Sequence, residues 1–168
     1  MTTELHTASE AATQACGARL AEFVSAGDVV LLSGDLGAGK TQLTKGLAEG
    51  LGVSEPVTSP TFNILLVHQG RIPLYHFDLY RLDMAEQLED LDYFAVLEAD
   101  GVAVVEWGDR FEESFPPDGL LVVLHIEGDT DRAVAVRPLG PRGEHLAALW
   151  MDACATIDGV RLVEGGER

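Results

Sequence analysis

Lysine is nearly missing from this chain of 168 residues: only Lys40 and Lys45 occur, and 11 Lys and Arg face 28 Asp and Glu for a net charge of −17. That balance argues against a direct nucleic-acid platform, where affinity comes largely from Lys and Arg neutralising phosphates. The imbalance is steepest between Asp83 and Asp118, where 12 acids stand against Arg110 alone, a solvated face or a docking surface for a basic partner. Asparagine occurs once, as Asn63 before Ile64, which rules out the guanine-reading Asn-Lys-x-Asp pattern of GTPases. Cysteine is also scarce. Cys16 and Cys154 have no metal-ligand spacing and read as reduced, partly buried thiols. No apolar run approaches the roughly twenty residues of a membrane span, and the opening residues lack a signal-peptide core, so a cytoplasmic protein without a membrane segment is expected. Neither repeats nor low-complexity stretches appear, and the length suits one globular α/β domain.

What the chain does contain is a phosphate-binding pattern. Gly34-Asp35-Leu36-Gly37-Ala38-Gly39-Lys40-Thr41 satisfies G-x-x-x-x-G-K-[ST] at every specified position. Val29-Val30-Leu31-Leu32 before it reads as a buried parallel strand, and Leu43, Leu47 and Leu51 after it have helical spacing. Gly34, Gly37 and Gly39 permit backbone conformations closed to residues with a Cβ, so that successive N–H groups converge on a phosphate. The helix starting near Lys40 adds its unpaired amides. Lys40 can reach the β- and γ-phosphates, and the Thr41 hydroxyl can ligate a Mg²⁺ that bridges them. Both lysines of the chain fall in this loop and its helix, a local positive spot in an acidic protein.

Around the loop the pattern is mixed. Thr7 and Glu10 have capping-box spacing ahead of an N-terminal helix running to about Val24. The proline-bracketed segment from Ser54 to Thr61 reads as an ordered functional loop, with Thr58, Ser59 and Thr61 candidates for ordering over a γ-phosphate. Ile64 to Val67 and Leu74 to Phe77 predict a hairpin, with Pro73 at an edge or the start of its strand. Met84, Leu88, Leu91 and Phe94 predict a helix from Asp83 to Leu97. Val102 to Val105 predicts another buried strand, and Leu120 to Ile126 with Ala133 to Val136 a last hairpin. Glu144 to Cys154 predicts a short helix before a loose glycine-rich end, so that 1–140 forms the main domain and 141–168 an appendage to it.

Hydrolysis or transfer also needs carboxylates on the metal side. Asp78 and Glu106 each close an apolar strand, where open α/β sheets place their ligands. His76 should share a face with Asp78 and reads first as a packed structural histidine. Tyr75, Tyr80, Phe62 and Trp107 read as core, with Trp107 a candidate for lining the pocket.

Taken together, the loop, Ser59-Pro60-Thr61-Phe62, His76-Phe77-Asp78-Leu79-Tyr80-Arg81-Leu82 and Glu106-Trp107 closely resemble the bacterial TsaE (YjeE) family, over roughly Ser9 to Val136 and including Thr13. The resemblance implies a P-loop NTPase-like α/β domain with a mixed sheet flanked by helices. It also implies an ATPase needed for the threonylcarbamoyl (t6A) modification of adenosine 37 in tRNAs reading codons that begin with A. Such a protein acts with a TsaB–TsaD heterodimer, meets tRNA only through that complex, and is a weak ATPase alone. By the same resemblance Leu36, Gly37, Ala38, Gly39, Lys40 and Thr41 wrap the ATP phosphates, Thr41 and Glu106 ligate Mg²⁺, and Lys40, Asp78 and Glu106 carry the chemistry. Ser9, Glu10 and Arg132 are candidates near the adenine. Asn63, Asp92 and Gly108 depart from the usual Thr, Gly and Pro.

Two other readings share the loop. A small-molecule or nucleoside kinase would need an arginine-bearing lid, and only the scattered Arg71, Arg81, Arg110 and Arg132 are available in mid-chain. A nucleotide-dependent interaction module with little hydrolysis of its own overlaps with the family role.

Overall fold

The computed structural model describes residues 3–58, 60 and 63–163. Its elements are β1 (Thr3–Thr7), α1 (Glu10–Leu20), β2 (Val29–Ser33), α2 (Lys40–Gly50), β3 (Leu65–Gln69), β4 (Pro73–Asp78), α3 (Tyr93–Leu97), β5 (Val102–Glu106), β6 (Gly119–Ile126), β7 (Arg132–Leu139), α4 (Gly140–Cys154) and β8 (Val160–Val163). Short 3₁₀ turns cover Ala85–Leu91 and Glu112–Ser114.

All eight strands join one sheet in the order β3-β4-β5-β2-β6-β7-β1-β8. Its centre, β4-β5-β2-β6, is parallel, and every pairing outside that block is antiparallel. The continuous apolar run of β2 follows from this position. Val30 and Leu32 pack with α1, α2 and α4 on one face, while Val29 and Leu31 pack with Phe77, Leu88 and Tyr93 on the other. A strand covered on both sides has no polar face to show.

α1 and α2 meet through glycines. A Cβ on Gly46 would lie 1.8 Å from the Gln14 carbonyl oxygen, and one on Gly17 would lie 2.1 Å from that of Leu43. This close approach brings the start of α1 beside the phosphate loop, where the Thr13 methyl lies 3.6 Å from the place a Gly39 Cβ would take.

Several expectations change. The helix cap is Ser9, whose hydroxyl accepts from the Ala12 amide at 3.0 Å, and Thr7 instead closes a strand, its hydroxyl 2.7 Å from that of Thr13. The stretch from Asp83 to Leu97 is not one helix. It breaks at Asp92, which sits in the left-handed region at φ 54°, and the shift in phase buries Tyr93 while Met84 and Phe94 face solvent. Asp is among the few non-glycine residues that accept that conformation. α4 begins earlier than Glu144, at Gly140, with Pro141 in its first turn where no amide hydrogen is required. β8 pairs with β1, so part of the end expected to be loose is a strand of the sheet, and residues 164–168 of that end lie outside the described ones.

Candidate active site

The loop follows β2 as its residue types require. Gly34, Gly37 and Gly39 have φ of 141°, 81° and 106°, and a Cβ on Gly34 would lie 2.5 Å from the Leu124 carbonyl oxygen. α2 opens at Gly39 without a side-chain cap or an acid in its first turn. Leu43 is the first residue whose amide reaches back to the Gly39 carbonyl, at 3.0 Å, so the amides ahead of it have no helical acceptor. This cradle suits an anion.

Lys40 is buried. Its ammonium donates to the Gly34 carbonyl and lies 4.1 Å from the centre of the Trp107 ring. Burial lowers its pKa from the ordinary lysine value, while Glu106, Asp78, Asp35 and Asp109 pull the other way. Asp78 and Glu106 stand side by side at the ends of the parallel strands β4 and β5, and Glu106 is also level with Leu32 of β2. Both are buried, which is costly for a carboxylate without partners. Asp78 Oδ1 accepts from the Tyr80 amide at 2.9 Å, and Glu106 Oε2 lies 2.7 Å from His76 Nε2.

These groups line a cavity of about 500 Å³ that takes in Leu36 to Thr41, Asp78 and Glu106. The expected phosphate-loop residues and both carboxylates are therefore in one place, whereas Ser9 and Thr58, also candidates from the sequence, are not among its lining residues. Trp107, at φ 60°, lines it, as do Glu10 and Arg132. Arg132 donates to the Gly37 carbonyl at 3.0 Å and so ties the β6–β7 hairpin to the loop. Thr13, Gln42, Tyr80 and Thr130 also line it and were not anticipated as site residues. Tyr80, expected in the core, is half exposed, its ring centre 5.1 Å from that of Trp107. Its position next to Asp78 plus one residue was the available signal. Ser59 and Thr61 of the expected ordering loop lie outside the described residues, as does Phe62, a residue expected in the core. Cys16 and Cys154 are both free and fully buried, more so than expected, and the hydrogen bond with Cys16, followed by burial, raises the pKa of the Cys154 thiol.

The donors fit a nucleotide phosphate with Mg²⁺. Among the described residues no three His, Cys, Asp or Glu gather as a metal cluster. Magnesium commonly takes only one or two protein ligands and completes its shell with phosphates and water, which fits a cavity lined by the Thr41 hydroxyl and the Glu106 carboxylate.

A central parallel sheet whose strand ends surround a glycine loop and a buried lysine defines a P-loop α/β domain. The family model for threonylcarbamoyl adenosine biosynthesis protein TsaE matches residues 7–134, and the chain belongs to that family. It is 43% identical over 135 residues to the Bacillus subtilis tRNA threonylcarbamoyladenosine biosynthesis protein TsaE, covering 80% of this chain and 84% of that one. The Streptomyces coelicolor protein of the same name is 50% identical over 134 residues, covering 75% and 90%. The crystal structure of Bacillus subtilis YdiB matches with a TM-score of 0.77 at 36% identity, over 91% of this chain and 96% of that one. No helix among the described residues is long and apolar enough to cross a membrane.

Proposed function

We propose that this chain is a Mg-dependent ATPase of t6A biosynthesis that supports modification at position 37 of tRNAs reading codons that begin with A. In this reading it acts in the cytoplasm with TsaB and TsaD and meets tRNA only through their complex. Family membership supports the pathway. The observation that carries the chemistry is the single cavity joining the loop, Lys40, Thr41, Asp78 and Glu106.

Loop amides and Lys40 hold the β- and γ-phosphates, and Lys40 exchanges the Gly34 carbonyl for phosphate oxygens. Thr41 and Glu106 would hold Mg²⁺, which offsets the phosphate charge. Asp78, level with Glu106 on the neighbouring strand, is the second carboxylate of the site and would help to orient an attacking water. Trp107 and Tyr80 form part of the wall of the same cavity.

Because Glu106, Asp78, Asp35 and Asp109 surround Lys40, a nucleotide without metal meets net repulsion. Fluorescent ADP-analogue titration should show affinity falling at least about tenfold when Mg²⁺ is chelated. Lys40→Ala should abolish binding with the circular dichroism spectrum unchanged, and tight binding surviving that change would refute the site. Multiple-turnover tRNA modification by TsaB, TsaC and TsaD should depend on added chain. Independence from it would favour the kinase reading, to be pursued by a phosphoryl-acceptor screen.

A further inference from the structure

We propose that His76 is a positioning residue that sets the orientation of Glu106, an inference that rests on Glu106 serving the metal side of the site. The ring lies on β4 two residues before Asp78, is wholly buried, and places Nε2 2.7 Å from Glu106 Oε2. Strand register puts His76 level with Val104 and Asp78 level with Glu106, so the imidazole sits one step beneath the two carboxylates on the face that carries the phosphate loop. A glutamate has three side-chain torsions. An N–H donated to one oxygen from a rigid strand removes that freedom and leaves the other oxygen to face the cavity.

The ring is braced from behind. His68, on the adjacent β3, has its ring centre 6.4 Å from that of His76, and its Nδ1 lies 2.8 Å from Glu55 Oε1. A line Glu55–His68–His76–Glu106 thus runs from the exposed segment after α2 to the nucleotide cavity. His68 Nε2 and His76 Nδ1 are both buried without hydrogen-bond partners. Such atoms cost stability, and a leucine at position 76 would fill the space without that penalty. The histidine is explained by the one bond it does make, to a carboxylate of the site.

The test compares His76→Leu and His76→Gln in the full chain, with Glu106→Gln as reference. The Gln amide nitrogen can reach the place of Nε2. The first readout is the Mg²⁺ concentration that half-restores binding of a fluorescent ADP analogue. His76→Leu should raise it about tenfold while leaving metal-free affinity unchanged, and His76→Gln should recover most of the loss. In reconstituted turnover the loss should fall on kcat and leave KM near its original value. Equal Mg²⁺ requirements in the original chain and His76→Leu, or a Gln variant no better than Leu, would overturn the proposal. An unchanged requirement in Glu106→Gln would instead remove the metal assignment beneath it. Should His76→Leu fail to fold, the unsubstituted chain decides. Its His76 Nε2–H should exchange slowly in long-range ¹H–¹⁵N spectra and shift when Mg²⁺ is added to the ADP-bound protein, and the absence of a shift would overturn the idea.

Discussion

Lys40 is held where burial disfavours its charge by more than the nearby acids favour it, against one backbone carbonyl and an aromatic face. Its folded pKa lies below the unfolded one, so between the two values the unfolded chain binds more protons and stability rises with pH. Below that window the charge is a net cost to the fold that phosphate would offset. Lys40→Met should therefore raise the melting temperature of the nucleotide-free chain at pH 7 while eliminating nucleotide binding, as calorimetry and titration can check, and the gain should shrink at alkaline pH. Tyr93 is a parallel case without a function attached. Its ring packs edge-on against Phe77 and Phe94, yet its hydroxyl is buried without a partner, and burial raises its pKa. Tyr93→Phe should stabilise by about 1 kcal/mol, which urea denaturation would detect as a higher midpoint at constant slope.

At the scale of elements, the contact between α1 and α2 aligns the site. Gly46→Ala drives a methyl into the Gln14 carbonyl, 1.8 Å from its oxygen, and the helices cannot part without moving Thr13 away from the loop. The expected loss is at least about 3 kcal/mol, with weakened nucleotide affinity in whatever remains folded. The break at Asp92 makes the opposite prediction. Asp92→Gly relieves a left-handed residue at φ 54° and removes one acid from a crowded face, and it should stabilise by about 0.5–1 kcal/mol, or roughly 1–4 °C in melting temperature. Sequence spacing suggested one continuous helix here because Met84, Leu88, Leu91 and Phe94 recur helically. Periodicity carries no record of a residue that resets the phase, and the reset is what buries Tyr93 and exposes Phe94.

For the whole molecule, the family match ends at residue 134 but the core does not. α4 contributes Leu146, Trp150, Met151 and Cys154 to the larger hydrophobic cluster, and the Trp150 indole donates to the Cys16 carbonyl at 2.7 Å. Losing a buried tryptophan alone costs about 3–5 kcal/mol, against a total stability of about 5–15 kcal/mol. A chain ending at Leu139 should therefore fail to fold, with no cooperative transition on heating. The phosphate loop, its flanking strand and helix, and the two strand-end carboxylates were legible in the residues alone. Each depends on local chemistry: glycines that permit positive φ, apolar runs that must be covered on both faces, and acids that end such runs. Strand β1, strand β8, the true length of α4 and the place of Tyr80 were not legible, because a margin strand or a cavity wall is defined by what lies across from it. Local sequence thus determined the glycine loop and the acids that end the strands beside it. Only tertiary structure decided that His76 would stand beneath Glu106, that Arg132 would tie a distant hairpin to the loop, and that the far C-terminal helix would complete the core. Those contacts join residues tens of positions apart, and their free energy appears only once the sheet has set its register.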